Sequence, residues 1–158
     1  MRKNVFKVSL AACGALVLLT AVGMAGDNWV GIWKLDVGKS KFSPGPRPRG
    51  ETLKFVVTKE GTQLISDTID AEGKTLHGTY ASHFDGKDVP WTGNPEADTA
   101  SPKKIDDNNY ENTWKKDGKV TMTVKVTVSA DGKTLNVTQS GTNAKGQAVN
   151  NVAVFTRQ

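Results

Sequence analysis

Residues 119–129 alternate strictly. Val120, Met122, Val124, Val126 and Val128 fall on one parity, and Thr121, Thr123, Lys125 and Thr127 on the other. A period of two over that length is a β-strand with one buried face, because successive side chains of a strand leave on opposite sides. A helix would scatter the valines around its surface, and so many β-branched residues disfavour one. Leu53, Phe55 and Val57 repeat the pattern. Leu76, Tyr80 and Phe84 follow it more loosely, as do Leu135 with Val137 and Val152 with Val154. Turn signals separate these runs. Asp85-Gly86-Lys87, Asp117-Gly118-Lys119 and Asp131-Gly132-Lys133 are Asp-Gly hairpin turns, since both residues tolerate the positive φ that tight turns need. Glu72-Gly73-Lys74 and Lys145-Gly146-Gln147 are softer versions, and residues 106–109 form another polar turn.

This punctuation predicts about ten strands, near residues 29–35, 52–59, 62–70, 74–84, 87–92, 99–105, 109–116, 119–129, 133–140 and 147–157. No helical period interrupts them. Two connections exceed hairpin length. One is 40–50, where Pro44, Pro46 and Pro48 force an extended segment, and the other is 93–98. Neighbours joined by tight turns make an antiparallel meander, and closing into a barrel hides its edges. The alternative, a β-sandwich, needs more long crossovers than the chain offers. The expectation is an all-β fold in one domain, 26–158.

Ahead of that domain, Arg2, Lys3 and Lys7 precede an apolar block over residues 8–22, and Gly23-Met24-Ala25 supplies small residues at a cleavage point. The pattern predicts a signal peptide over 1–25, and with it a periplasmic or extracellular protein. Cys13 lies in Leu10-Ala11-Ala12-Cys13, similar to a lipobox, but the apolar run continues past it, so a lipid anchor is not expected there. It is the only cysteine, so the domain has no thiol or disulfide chemistry of its own. The block is also short for a membrane span, and no second one follows. Of 21 Lys and Arg against 16 Asp and Glu, three positive charges belong to the leader. The remaining excess is mild. Lys39, Lys41, Arg47 and Arg49 form a cluster split by prolines and read as a solvated loop, so nucleic acid is not an expected partner.

The domain opens with Trp29-Val30-Gly31-Ile32-Trp33. Gly31-Ile32-Trp33 resembles the Gly-x-Trp on the first strand of lipocalins. That resemblance implies that Trp33 plugs the closed end of a barrel while a basic residue near the end of the last strand, here Arg157, packs over it, a favourable cation–π arrangement. Residues 31–35, 39–46, 92–98 and 141–143 extend the likeness to small exported bacterial proteins described as lipocalin-like and not functionally characterised. The chain lacks the disulfides of lipocalins and a helix before the last strand. Ten strands fit the related fatty-acid-binding barrel better than the eight of a lipocalin.

Catalytic and metal chemistry find little support. His77 and His83 share a strand face but stand roughly 20 Å apart at strand rise, too far to share an ion. No Gly-x-Ser-x-Gly elbow is present. Asp85, Asp117 and Asp131 precede glycine and are turn residues first. Asp67 shares the parity of Ile65 and Ile69; a local irregularity turning it outward is preferred to a buried carboxylate. Gly141-Thr142-Asn143 reads as a turn, and Asn136-Val137-Thr138 as a chance sequon. No acid–base pair or nucleophile stands out, so an enzyme is the least expected reading, left to a convergence of His83 and Asp67 with a serine or tyrosine. No cofactor or metal is expected.

The aromatics are the best site evidence. Trp114 shares a face with Tyr110 and Asn112, and Trp91 precedes the 93–98 loop. The leading expectation is an exported binding protein for a small apolar or amphipathic ligand. Its pocket would be lined by Phe55, Tyr80, Tyr110, Trp114, Met122 and Val124, with Trp91 near the mouth. The alternative is a non-enzymatic envelope or secreted interaction protein with a filled barrel. An interior without roughly 300 Å³ of space would favour it.

Overall fold

The alternating stripes become ten strands: β1 (Gly31–Leu35), β2 (Gly50–Thr58), β3 (Gly61–Ile69), β4 (Thr75–Ser82), β5 (Val89–Pro90), β6 (Thr99–Lys104), β7 (Asn109–Lys116), β8 (Lys119–Val128), β9 (Thr134–Thr142) and β10 (Ala148–Arg157). The computed structural model describes residues 26–158. The expected signal peptide and Cys13 lie outside them. The strands form one antiparallel sheet in the order β4-β3-β2-β1-β10-β9-β8-β7-β6-β5. Consecutive strands pair, all but β4 with β5, and β1 pairs with β10, so the sheet is a meander curled into a nearly closed barrel rather than a sandwich. The remaining edges, β4 and β5, meet at a single bridge, where Thr79 and Thr92 exchange backbone hydrogen bonds of 2.9 and 3.0 Å.

That seam depends on Gly93. Its φ is +80°, and a Cβ there would stand 1.9 Å from the carbonyl oxygen of His77. Only glycine lets the 93–98 loop turn away this close to β4.

The turn chemistry explains much of the meander. Asp117 and Gly118 have φ of 49° and 73° and alone join β7 to β8, the left-handed pair of a two-residue hairpin. Gly73, Gly132 and Gly146 take positive φ in the five-residue turns of β3–β4, β8–β9 and β9–β10. Asp85-Gly86-Lys87 turns as well, with Asp85 Oδ1 accepting from the Lys87 N–H at 3.1 Å, but it closes no hairpin. Residues beside it pair with β6 instead: Lys104 N donates to Phe84 O and Gly86 N to Pro102 O. The expected strand over 87–92 shrinks to Val89–Pro90, because Pro90 has no N–H to extend the ladder.

The interior takes one face of each strand. Leu53 and Phe55 on β2, Leu64 on β3, Tyr80 on β4, Met122, Val124, Val126 and Val128 on β8, Leu135 and Val137 on β9, and Ala153 and Phe155 on β10 are all buried. Val120 departs from its stripe and is 61% exposed. The register shifts between Trp114 and Lys115, so Trp114 faces Met122 while Lys115 faces Val120. Thr121 is the extra residue, and this bulge changes the phase of β8 and turns Val120 outward. Asp67 does lie outward, yet through no irregularity. The inward parity of β3 is that of Leu64, Ser66 and Thr68, and Asp67 sits on the outer face with its carboxylate 2.6 Å from His77 Nδ1. His83 lies beyond β4 and is exposed.

At one end the barrel is sealed. Trp29, before β1 rather than on it, is fully buried with its ring 5.3 Å from Phe84 and 5.0 Å from Tyr110. The Trp33 indole N–H donates to Trp29 O at 2.7 Å. The guanidinium carbon of Arg157 lies 4.2 Å from the centre of the Trp33 ring. The same guanidinium donates from Nε to Gly132 O at 2.7 Å, from Nη1 to Val30 O at 2.9 Å, and from Nη2 to Asn28 O. It therefore ties the first strand's approach to the β8–β9 turn.

Candidate functional site

The opposite end is open. Past Leu35 the chain continues along β10: Lys41 and Val152 exchange backbone bonds of 2.7 and 2.8 Å, and Asn150 N donates to Ser43 O at 2.9 Å. The prolines at 44, 46 and 48 then carry the chain across to β2. The result is a strap over the mouth, with the partly buried Phe42 turned toward the core.

Beneath the strap is a cavity of about 210 Å³. Five of the residues expected to line a pocket do so: Tyr80, Trp91, Tyr110, Trp114 and Val124. Two do not. Phe55 lies opposite Gly31 in register and packs toward Tyr110 at 6.3 Å, so it belongs to the sealed end. Met122 lies higher, beside Trp114, and lines a separate recess of about 230 Å³ under Pro44, Gly45 and Pro46. Both face inward as their parity demands. Their height in the barrel comes from strand register, which alternation does not encode. Trp33 and Arg157 seal the far end.

The aromatic wall has a defined shape. Trp91 and Trp114 meet edge to face at 4.8 Å and 90°, and Tyr80 meets Trp91 at 5.1 Å and 77°. The three rings make a corner of the kind aromatic pairs favour. The buried indole N–H groups of Trp91 and Trp114 have no hydrogen-bond partner among the described residues; nor does that of Trp29 at the sealed end. Gly78 makes room for the corner, since a Cβ there would stand 3.0 Å from Trp91 Nε1. Deeper in, Asn112 fixes the polar floor. Its Nδ2 donates to the Tyr80 hydroxyl at 3.3 Å and its Oδ1 accepts from Ser101 N at 3.0 Å. Burial pushes both phenols, Tyr80 and Tyr110, up from their ordinary range.

Glu51 and Phe42 complete the site, and the sequence reading passed over both as pocket residues. Glu51 shares the inward parity of Leu53 and Phe55, a signal that was available. It lines the cavity near the mouth, partly exposed, opposite Thr68 in register. Burial pushes its carboxyl up to about 7, against a smaller lowering by the Thr68 hydroxyl. Among the described residues no Lys, Arg or His lines this cavity, and none forms an ion pair with Glu51. No group of three or more His, Cys, Asp or Glu that could hold a metal occurs among the described residues.

No protein-family model matches the chain, and no curated protein is a significant match. Solved structures do match. A protein of unknown function from the DUF3598 family of Nostoc punctiforme PCC 73102 aligns with a TM-score of 0.51 at 18% identity. The match covers 83% of this chain and 47% of that one, so the chain spans about half that protein's length. A zebrafish ileal bile acid-binding protein, complexed with cholic acid, aligns with a TM-score of 0.48 at 10% identity over 83% of this chain and 99% of that one. At such identities the likeness is one of fold.

Proposed function

We propose that this chain is an exported binding protein that holds one small amphipathic ligand in the open half of its barrel, and that it is not an enzyme. The observation that carries the reading is the corner of Trp91 and Trp114. The two rings line a cavity whose walls are otherwise mainly apolar. Aromatic rings in an otherwise mainly apolar recess, with a few polar groups such as Asn112 and Glu51 in its wall, are the usual lining of a small-molecule site. Size restricts the ligand. About 210 Å³ falls below the ~300–1,000 Å³ usual for small-molecule pockets, so a compact molecule suits it better than a long acyl chain.

The same number favours the second reading, a filled barrel whose outer surface is what matters. The two readings separate by native mass spectrometry of the protein purified from its own source. The binding reading expects a second species heavier by one small molecule, which disappears on denaturation. Only the bare polypeptide mass, together with unchanged tryptophan emission across a panel of small amphiphiles, would leave the filled barrel standing. The leader is tested separately: the N-terminus of the protein recovered outside the cytoplasm should begin just after Ala25.

A further inference from the structure

The cavity has a charge preference set by one side chain. Resting on the binding reading above and deepening it, we propose that the ligand is an organic cation, with an amine or quaternary ammonium group facing Glu51 and an apolar body against the Trp91–Trp114 corner. Among the described residues Glu51 is the only carboxyl in the cavity wall, and no cationic side chain shares that wall. A ligand that covers Glu51 strips water from it, and a carboxylate so stripped needs a positive or donating partner. The protein provides only the Thr68 hydroxyl opposite. An anionic ligand would place two like charges together with nothing between them. The remaining walls suit the apolar body of such a ligand, because Trp91, Trp114 and Tyr80 line the same cavity.

The rim carries both signs, with Lys41, Arg47 and Arg49 exposed on the strap and carboxylates lining the recesses beside the cavity. A neighbouring recess shares Phe42 and Glu51 with the cavity and adds Asp70 and Glu72 from the β3–β4 turn. Glu96 lines the recess on the other side, beside Trp114. Of these cations none lines the cavity or either recess, and Arg49 is committed by its Nε to Ala71 O at 2.9 Å.

Calorimetry at about pH 8 with three probes of similar shape tests this. Benzyltrimethylammonium is the cation, neopentylbenzene its neutral isostere and phenylacetate the anion. The cation should bind about ten-fold or more tightly than either of the others. Glu51→Gln keeps the shape and should lose most of that advantage while binding the neutral probe as before. Circular dichroism and tryptophan emission would establish that the variant is folded. If neopentylbenzene or phenylacetate binds as well as the cation, or if Glu51→Gln binds the cation undiminished, the charge assignment fails and the binding reading survives. If none of the three binds the unaltered protein, the binding reading fails and takes this inference with it.

Discussion

Glu51→Gln should make the barrel more stable, and only above mildly acidic pH. In the unfolded chain the carboxyl titrates near 4.5; in the folded chain burial moves it to about 7. Between those values the folded chain keeps the proton and the unfolded chain has released it. The stability linked to this group is therefore complete below about pH 4.5, falls as pH rises, and levels off above about 7. The interval corresponds to about 3 kcal/mol, and because Glu51 keeps some contact with water at the mouth, about 2 kcal/mol is the better expectation. Glutamine has the same shape and no charge to desolvate. The two proteins should unfold alike near pH 4.5, and by pH 8 the variant should melt roughly 5–10 °C higher. Thermal melts of both proteins across pH 4.5–8 measure the difference, in which other titrations cancel. The aspartates held low by hydrogen bonds and lysines, such as Asp88 with Lys115 and Ser101, lose their contribution only toward more acid pH, below this window. A difference that stays flat from pH 5 to 8, or that favours the original protein at pH 8, refutes the claim that Glu51 is desolvated in the cavity wall.

Arg157→Ala should lower stability by about 1–2 kcal/mol in urea, through loss of the cation over Trp33 and of three backbone acceptors, with Arg157→Lys between the two because lysine keeps the charge without the fork. A change under about 0.5 kcal/mol for the alanine variant would mean that Arg157 does not seal the barrel. Two glycines at left-handed φ should respond differently to alanine. Gly118→Ala has open space around it and should cost about 1 kcal/mol of backbone strain, whereas Gly93→Ala meets the His77 carbonyl and should cost about 3 kcal/mol or more while speeding amide exchange at Thr79 and Thr92. Equal losses at the two positions would show that the β4–β5 seam is not what Gly93 protects.

What the sequence conveyed followed from which interactions are local. The valines of β8 and the Asp117-Gly118 hairpin are set by neighbours in the chain, and both were legible. The inward set was legible too, except where the bulge at Thr121 reversed the phase and exposed Val120. Height along the barrel was not. Phe55 and Tyr80 carry the same inward signal and stand in line across β3 through Leu64, yet Tyr80 borders the cavity and Phe55 does not. The Thr79–Thr92 seam joins strands whose turn forms no hairpin, so nothing local announced it. Glu51 was readable by parity but looks like any polar residue at a strand's start. Phe42 gains its role only because the strap follows β10 across the mouth.

The four tryptophans allow a direct test of the central claim that the open half of the barrel receives a ligand. An indole nitrogen–proton correlation spectrum gives one resonance for each. On titration with benzyltrimethylammonium, the signals of Trp91 and Trp114 should move together and saturate. Those of Trp33, already bonded to the Trp29 carbonyl at 2.7 Å, and of Trp29 should stay in place. Resonances of Trp91 and Trp114 that do not move, or that move no more than those of the sealed end, would contradict the account.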